Sequence, residues 1–325
     1  MTEASALSPE PAAPRVPAAV AGMLWMLLAT LVAVSMHVIV RRASGVMHPL
    51  QVAFFYNLFT MTVLLPLFWR HGFGVLRTRR YGLYFVRAVL HLASMLLFYY
   101  GLTRAPLAVA GALGFLAPLF AVIIAAVLFK EGFTLRRWLA LAAGFAGMIM
   151  IVRPDPSAMD SGALFFIGAA AIWGVVLPMI KLLGRTESSS TITAWMVLMM
   201  GPLALLPAIP VWTPPDPVSV AWLALAGAAG AGSQLALTHA LRTGATNVVM
   251  PVDFFRLVWS ALFGFIIFHE VPDLWTGLGG ATIFVATTWL ALREHQLGTA
   301  ARRASVAAAA AAEAGTRSGS SDHRP

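Results

Sequence analysis

Asp253 and Arg256 stand three residues apart inside Pro251 to Glu270, PVDFFRLVWSALFGFIIFHE, a stretch apolar enough to span a bilayer. A charged Arg at the centre of a lipid-embedded helix costs roughly 2.5–3.5 kcal/mol on insertion scales, so its head must face a protein interior, a watery cavity or a partner charge. On a helix, residues three apart share a face, and these two can neutralise each other. The guanidinium can hold a carboxylate, a phosphate or a carbonyl-rich ring in a forked geometry. Asp253 then serves as its counter-ion or as a proton-coupling carboxylate. The alternative is a structural ion pair that fixes this helix against its neighbours.

Five other side chains have types that could do chemistry within apolar runs. Arg87 and His91 are four apart and share a face. Arg87 either reaches a cavity or snorkels to the headgroups, and His91 either relays a proton or packs. Trp173, in GAAAIWGVV, can stack on a flat ring such as an indole, purine or flavin, or simply pack. Asn57 and Gln234 are uncharged polar groups that can bond a neighbouring helix or a ligand. His37 and His239 read as residues near span ends, where solvation is easy. Tyr99 and Tyr100 read as interfacial anchors, and Glu131 and Glu270 as structural tethers of short loops.

The chain that must position these groups has 325 residues, 59% of them hydrophobic and 11% charged. Soluble domains carry about 25% charged residues, so this is a membrane protein with the lipid bilayer as a partner; a small-molecule substrate is the partner expected of the Arg256 face. With no cysteine there are no disulfides, thiolate metal sites or Cys nucleophile. The sequence holds no Walker loop and no H-E-x-x-H, and no acidic cluster at metal spacing. The small-residue run Ala226 to Ser233 looks like GxGxxG but lacks the strand before it that a nucleotide site needs. No enzyme chemistry, cofactor or metal is expected. The net charge of +9 is explained by basic loops beside membrane spans, not by nucleic acid. A homodimer is a further partner that the sequence allows.

Ten apolar runs approach the roughly 20 residues that a spanning helix needs. They are predicted over 19–40, 50–69, 81–102, 106–129, 135–152, 162–183, 189–209, 218–240, 246–268 and 273–292. The expected fold is all-α, with ten transmembrane helices. Pro66, Pro118, Pro178, Pro202 and Pro207 fall inside these runs and can kink them. Arg256 falls about ten residues into its run, or roughly 15 Å deep, near the midplane. With the N-terminus inside, the cytoplasmic loops hold Arg70, Arg77, Arg79, Arg80, Lys130, Arg136, Arg137, Lys181, Arg185 and Arg242. The opposite loops hold only Arg41, Arg42, Arg104 and Arg153, an asymmetry that places both termini in the cytoplasm of an inner-membrane protein.

The chain also repeats itself. Glu131 and Glu270 are 139 positions apart, and the same offset aligns Ser94 with Ser233, Val109 with Val248, Phe115 with Phe254 and Phe129 with Phe268. Five spans per half is an odd number, so the second half enters the membrane upside down. Inverted repeats are a secondary-transporter architecture with a site between the halves. The expected organisation is a disordered tail over 1–18, repeats over 19–154 and 155–292, and a disordered tail over 293–325.

Residues 87–154 resemble the EamA-type repeat of the drug/metabolite transporter superfamily. The matching features are Arg87 early in the third span, Pro118 inside the fourth, Glu131 closing it, the pair Arg136 and Arg137, and Gly144 with Gly147 in the fifth. The run PVDFFRLVWSALFGFIIFHE is similar to the ninth span of a subgroup that includes riboflavin and S-adenosylmethionine uptake carriers. The resemblance covers about residues 20–292 and implies ten helices, inverted repeats and a central cavity. The second repeat departs from the first: Leu257 stands where the first has Pro118, and Gly277 where it has Trp138. The expected function is a secondary transporter that moves a small organic metabolite by alternating access, its site lined by Arg256, Asp253, Trp173, His91, Arg87, Gln234 and Asn57. A vitamin or cofactor uptake carrier and a non-transporting membrane interaction protein stand as alternatives.

Overall fold

A computed structural model describes residues 18–71, 77–129, 135–152, 161–243, 249–271, 273–290 and 292. Residues 1–17 of the predicted tail over 1–18, the predicted tail over 293–325, the stretch between the repeats at 153–160, and Glu131 lie outside the described residues, while Ala18 already belongs to the first helix. Regular structure among the described residues is entirely helical. The first half contributes α1 (Ala18–Ser44), α2 (Pro49–His71), α3 (Tyr81–Leu102), α4 (Leu107–Gly114), α5 (Ala117–Phe129) and α6 (Leu135–Val152). The second contributes α7 (Ser161–Leu183), α8 (Ser189–Ala208), α9 (Pro217–Thr243), a 3₁₀ segment Met250–Phe254 that runs into α10 (Phe255–Phe268), and α11 (Leu274–Leu290). Seven helices among the described residues are long and apolar enough to cross a membrane, and three shorter apolar helices accompany them. Large apolar side chains such as Phe85, Trp222, Phe265 and Val285 lie exposed on the outside, as a lipid-facing surface requires. The chain is a multi-pass membrane protein.

The packing pairs run between the halves. α1 packs on α9 and α3 on α7; α2 packs on α9 and α3 on α8; α5 packs on α7 and α1 on α10. The members of each couple exchange when the two halves are swapped. The pairs α2 with α8 and α4 with α10 map onto themselves. The crossing of α6 and α11 completes the set. A Cβ added at Gly147 would lie 2.6 Å from the Gly279 carbonyl oxygen, and one at Gly279 would lie 2.5 Å from the Gly147 oxygen. Lipid tails supply no hydrophobic drive between helices, so association rests on close van der Waals approach, which small residues permit. The run from Ala226 to Ser233 serves α9 in the same way: Gly227 abuts the α2 backbone at Phe59 and Thr60, and Ser233 Oγ donates to the Ala29 carbonyl of α1 over 2.9 Å.

Two predicted spans are not continuous helices. The run 106–129 breaks at Phe115 and Leu116, between α4 and α5. Pro118 therefore does not kink a helix. It sits in the first turn of α5, where its missing N–H has no intrahelical partner to lose. In the second half, the 3₁₀ segment gives way to α10 between Phe254 and Phe255. On the 139-residue offset Phe254 is the equivalent of Phe115, so both fourth spans change geometry at one position, the first through a two-residue turn and the second through a switch from 3₁₀ to α. Leu257 takes the place of Pro118, yet the irregularity persists because Pro251 now occupies the first turn of the 3₁₀ segment.

The ends of the bundle are tied by polar contacts between the halves. Gln51 at the start of α2 bonds the Thr213 backbone and hydroxyl, and Thr78 Oγ1 donates to Glu187 Oε1 over 2.8 Å at the other end. Asp216 caps α9 by accepting the Ser219 N–H at 3.0 Å, and the Ser219 hydroxyl first, then this N–H, hold its carboxyl below the usual carboxylate range. α10 ends with His269 in the left-handed region at φ 57°, the Glu270 N–H reaching back to the Gly264 carbonyl at 3.0 Å. That turn aims Glu270 at two partners. Oε1 pairs with Arg41 in the last turn of α1, and Oε2 accepts the Leu107 N–H at 2.9 Å. Pro106 offers α4 no side-chain cap, so this distant carboxylate supplies one and complements the positive end of the helix. The structure thus gives Glu270 the tethering contacts read from the sequence and names its basic partner.

Candidate functional site

A cavity of about 300 Å³ opens between the halves, at the lower edge of the range for small-molecule sites. Each wall is one helical face. From α3 come His91, Ser94, Met95, Phe98 and Tyr99, spaced i, i+3, i+4, i+7 and i+8. Phe166, Ala169, Ala170 and Trp173 of α7 follow the same rule. α1 adds Met36 and His37, α2 adds Tyr56, Asn57 and Thr60, and α8 adds Met196 and Val197. The interrupted fourth spans close the remainder: Gly114 and Ala117 flank the first break, and Arg256 enters from the first turn of α10.

The charged pair sits on the second interruption. Arg256 Nη2 donates to Asp253 Oδ1 at 2.9 Å. Asp253 belongs to the 3₁₀ segment, where residues i and i+3 eclipse, so the two heads meet more directly than on an α-helix. The Arg256 side chain is 36% exposed and Asp253 21%. Only Arg256 borders the cavity, with Asp253 behind it. Arg256 Nε is buried without a hydrogen-bond partner. Across the cavity, Trp173 and His91 meet edge to face with ring centroids 4.6 Å apart, and His91 Nδ1 is likewise unpartnered. An unsatisfied buried polar group costs about 1–3 kcal/mol, a cost that both side chains carry in this conformation. Asn57 is 7% exposed and gives its Nδ2 to the Ala53 carbonyl at 2.8 Å. Among the described residues that line the cavity there is no Asp or Glu.

Four of the seven residues expected at the site, Arg256, Trp173, His91 and Asn57, line one cavity, and Asp253 adjoins it through Arg256. The other two do not line it. Gln234 is exposed on the outer face of α9, because the small residues before it, not Gln234, turn toward α1 and α2. Arg87 is 3% exposed, so it neither snorkels nor reaches the cavity; Met196 lies between. The structure corrects two further readings. His37 is not a solvated end residue: α1 runs on to Ser44, and the His37 ring packs on Phe98 at 4.8 Å within the cavity wall. Tyr99 is not an interfacial anchor. It is 3% exposed and meets Tyr56 edge to face, while Tyr100 faces His48 and Phe165. Counting one helical face onward from His91 reaches Tyr99 and leaves Tyr100 off it, a signal that was present in the sequence. His239 stacks on Trp25 at 5.1 Å, away from the cavity.

The EamA-like transporter family matches residues 20–153 and again 160–292. The S-adenosylmethionine uptake transporter of Rickettsia prowazekii is 28% identical, over 85% of this chain and 94% of its own. The riboflavin transporter of Vibrio cholerae is 30% identical, over 83% of this chain and 92% of its own. A crystal structure shares the fold at TM-score 0.54 and 20% identity, covering 83% of this chain and 95% of that protein.

Proposed function

This chain belongs to the EamA-like transporter family, and on that premise we propose that it carries a flat, carbonyl-bearing heteroaromatic metabolite of the flavin type across the inner membrane by alternating access. The observation that carries the reading is the chemistry of the cavity wall. Among the described residues that line it the permanent charge is the Arg256 cation and none is a carboxylate, while Trp173, His91, Tyr56, Tyr99 and Phe98 offer ring faces and edges. The Arg256 cation favours carbonyl or anionic groups on a ring that the aromatic walls can stack on, and it repels a cationic sulfonium placed beside it. Between the two relatives' cargoes, riboflavin fits this lining better than S-adenosylmethionine does.

The transport cycle follows from the repeats. Ten spans as two oppositely oriented halves, over 19–154 and 155–292, put both termini in the cytoplasm, consistent with the loop charges and with the exchange of packing pairs between halves. The two interrupted spans meet at α4 and α10, so each half can bend where it touches the cargo. Trp173 stacks on the ring, Arg256 holds a carbonyl, and Asp253 keeps the guanidinium oriented and neutralised.

Purified protein in liposomes tests this with labelled riboflavin and S-adenosylmethionine. We expect saturable riboflavin uptake and little S-adenosylmethionine uptake. The reverse selectivity removes the cargo assignment, and absence of saturable flux for both favours the non-transporting alternative.

A further inference from the structure

We propose that Arg87, Tyr84 and Trp195 form a second acceptor-binding station, below the central cavity on the cytoplasmic side, that takes a carbonyl or carboxylate oxygen of the cargo after it leaves Arg256. The proposal rests on the transport reading above and names a further step of it. Arg87 is 3% exposed and Tyr84 1%, one helical turn apart on α3. Trp195 of α8 packs its ring against Tyr84 at a centroid distance of 6.0 Å. Arg87 Nε, Tyr84 Oη and Trp195 Nε1 are all buried without a hydrogen-bond partner. Each carries a proton to give, and among the described residues none has an acceptor.

The one hydrogen bond the Arg87 head makes among the described residues is to the Met196 sulfur, with Nη2 to Sδ 3.6 Å. A thioether is a weak acceptor and a poor partner for a guanidinium. A buried cation without a carboxylate is strongly destabilising, and a chain with no use for it would be better served by an apolar side chain. Met196 also lines the central cavity, so its flexible side chain is the partition between the cavity and Arg87. When Met196 swings aside, an oxygen of the cargo replaces the sulfur and meets a forked cation, a phenol and an indole N–H. Arg87 shares the α3 face of His91 and lies one turn nearer the Tyr81 end. The cargo thus leaves Arg256 on α10 and follows the α3 face from His91 to Arg87.

The test uses the full-length protein with Arg87→Met and Arg87→Lys, and riboflavin as the probe. Three quantities are measured: equilibrium binding in detergent, initial flux in liposomes, and melting temperature without ligand. We expect Arg87→Met to bind riboflavin within about twofold of the wild type, to lose flux by about tenfold or more, and to melt at the same temperature or higher. Arg87→Lys keeps the charge without the fork and recovers part of the flux. A lower melting temperature in Arg87→Met makes Arg87 structural and overturns the proposal. Unchanged flux in that variant overturns it too, leaving ordered water as the occupant, and an equal fall in binding and flux merges Arg87 with the central site. A wild-type protein that moves no riboflavin refutes the cargo reading by itself. The station is then judged by melting temperature alone: a fall overturns it and a rise supports it.

Discussion

Arg256 and Arg87 both lie within a hydrophobic bundle, yet their surroundings are opposite. Arg256 has a carboxylate at 2.9 Å, an exposed third of its side chain and a cavity before it. Arg87 has a thioether at 3.6 Å and almost no exposure. The difference shows two ways to keep a cation inside a membrane protein. One neutralises the charge locally and leaves it in partial contact with water, so it is available at little cost. The other holds the charge dry and unpaired, a state worth keeping only for something that arrives later. Only Arg256 lies beside cargo-sized space in this conformation, whereas Arg87 is closed off behind Met196.

The sharpest way to break the comparison is at Arg256. Arg256→Ala should reduce flux by about a hundredfold or more, with riboflavin binding weakened alongside it and expression largely kept. Near-normal kinetics in that variant would remove the assignment of the site. A smaller effect is expected from Asp253→Asn, which leaves Arg256 as unpaired as Arg87. Flux should fall by about fivefold, and binding of an anionic competitor such as flavin mononucleotide should strengthen relative to riboflavin. Loss as deep as in Arg256→Ala would instead make Asp253 a coupling carboxylate. The smallest effect belongs to Gln234→Ala. Its side chain is exposed outside the bundle, so flux and melting temperature should both stay at wild-type values, and a flux defect would place a cargo path outside α9.

Much of this was legible because membrane chemistry restricts what a sequence can mean. A charged pair in an apolar run has few tolerable environments, so Arg256 and Asp253 could be read before any fold was seen. The paired Glu131 and Glu270 exposed the repeat for the same reason. Rotation about a helix axis was harder to read. A helix that is apolar all round has no face marked by polarity, so Trp173 and Gln234 looked equivalent although one lines the cavity and the other faces outward. Depth failed where predicted ends were short: closing α1 at residue 40 made His37 look solvated, whereas the helix continues to Ser44. Pro118 was read as a kink because sequence marks an interruption by its proline. The first residue of the break is Phe115, three positions earlier.

One carboxylate at Glu270 holds both the end of α1, through Arg41, and the start of α4, through the Leu107 amide. At that rim the first span and the front half of the fourth travel as a single lever. Neither can lean outward unless it drags the other along or strands an acid in grease. The elbow such a lever needs already exists at Phe115 and Leu116, where no unbroken rod resists the swing.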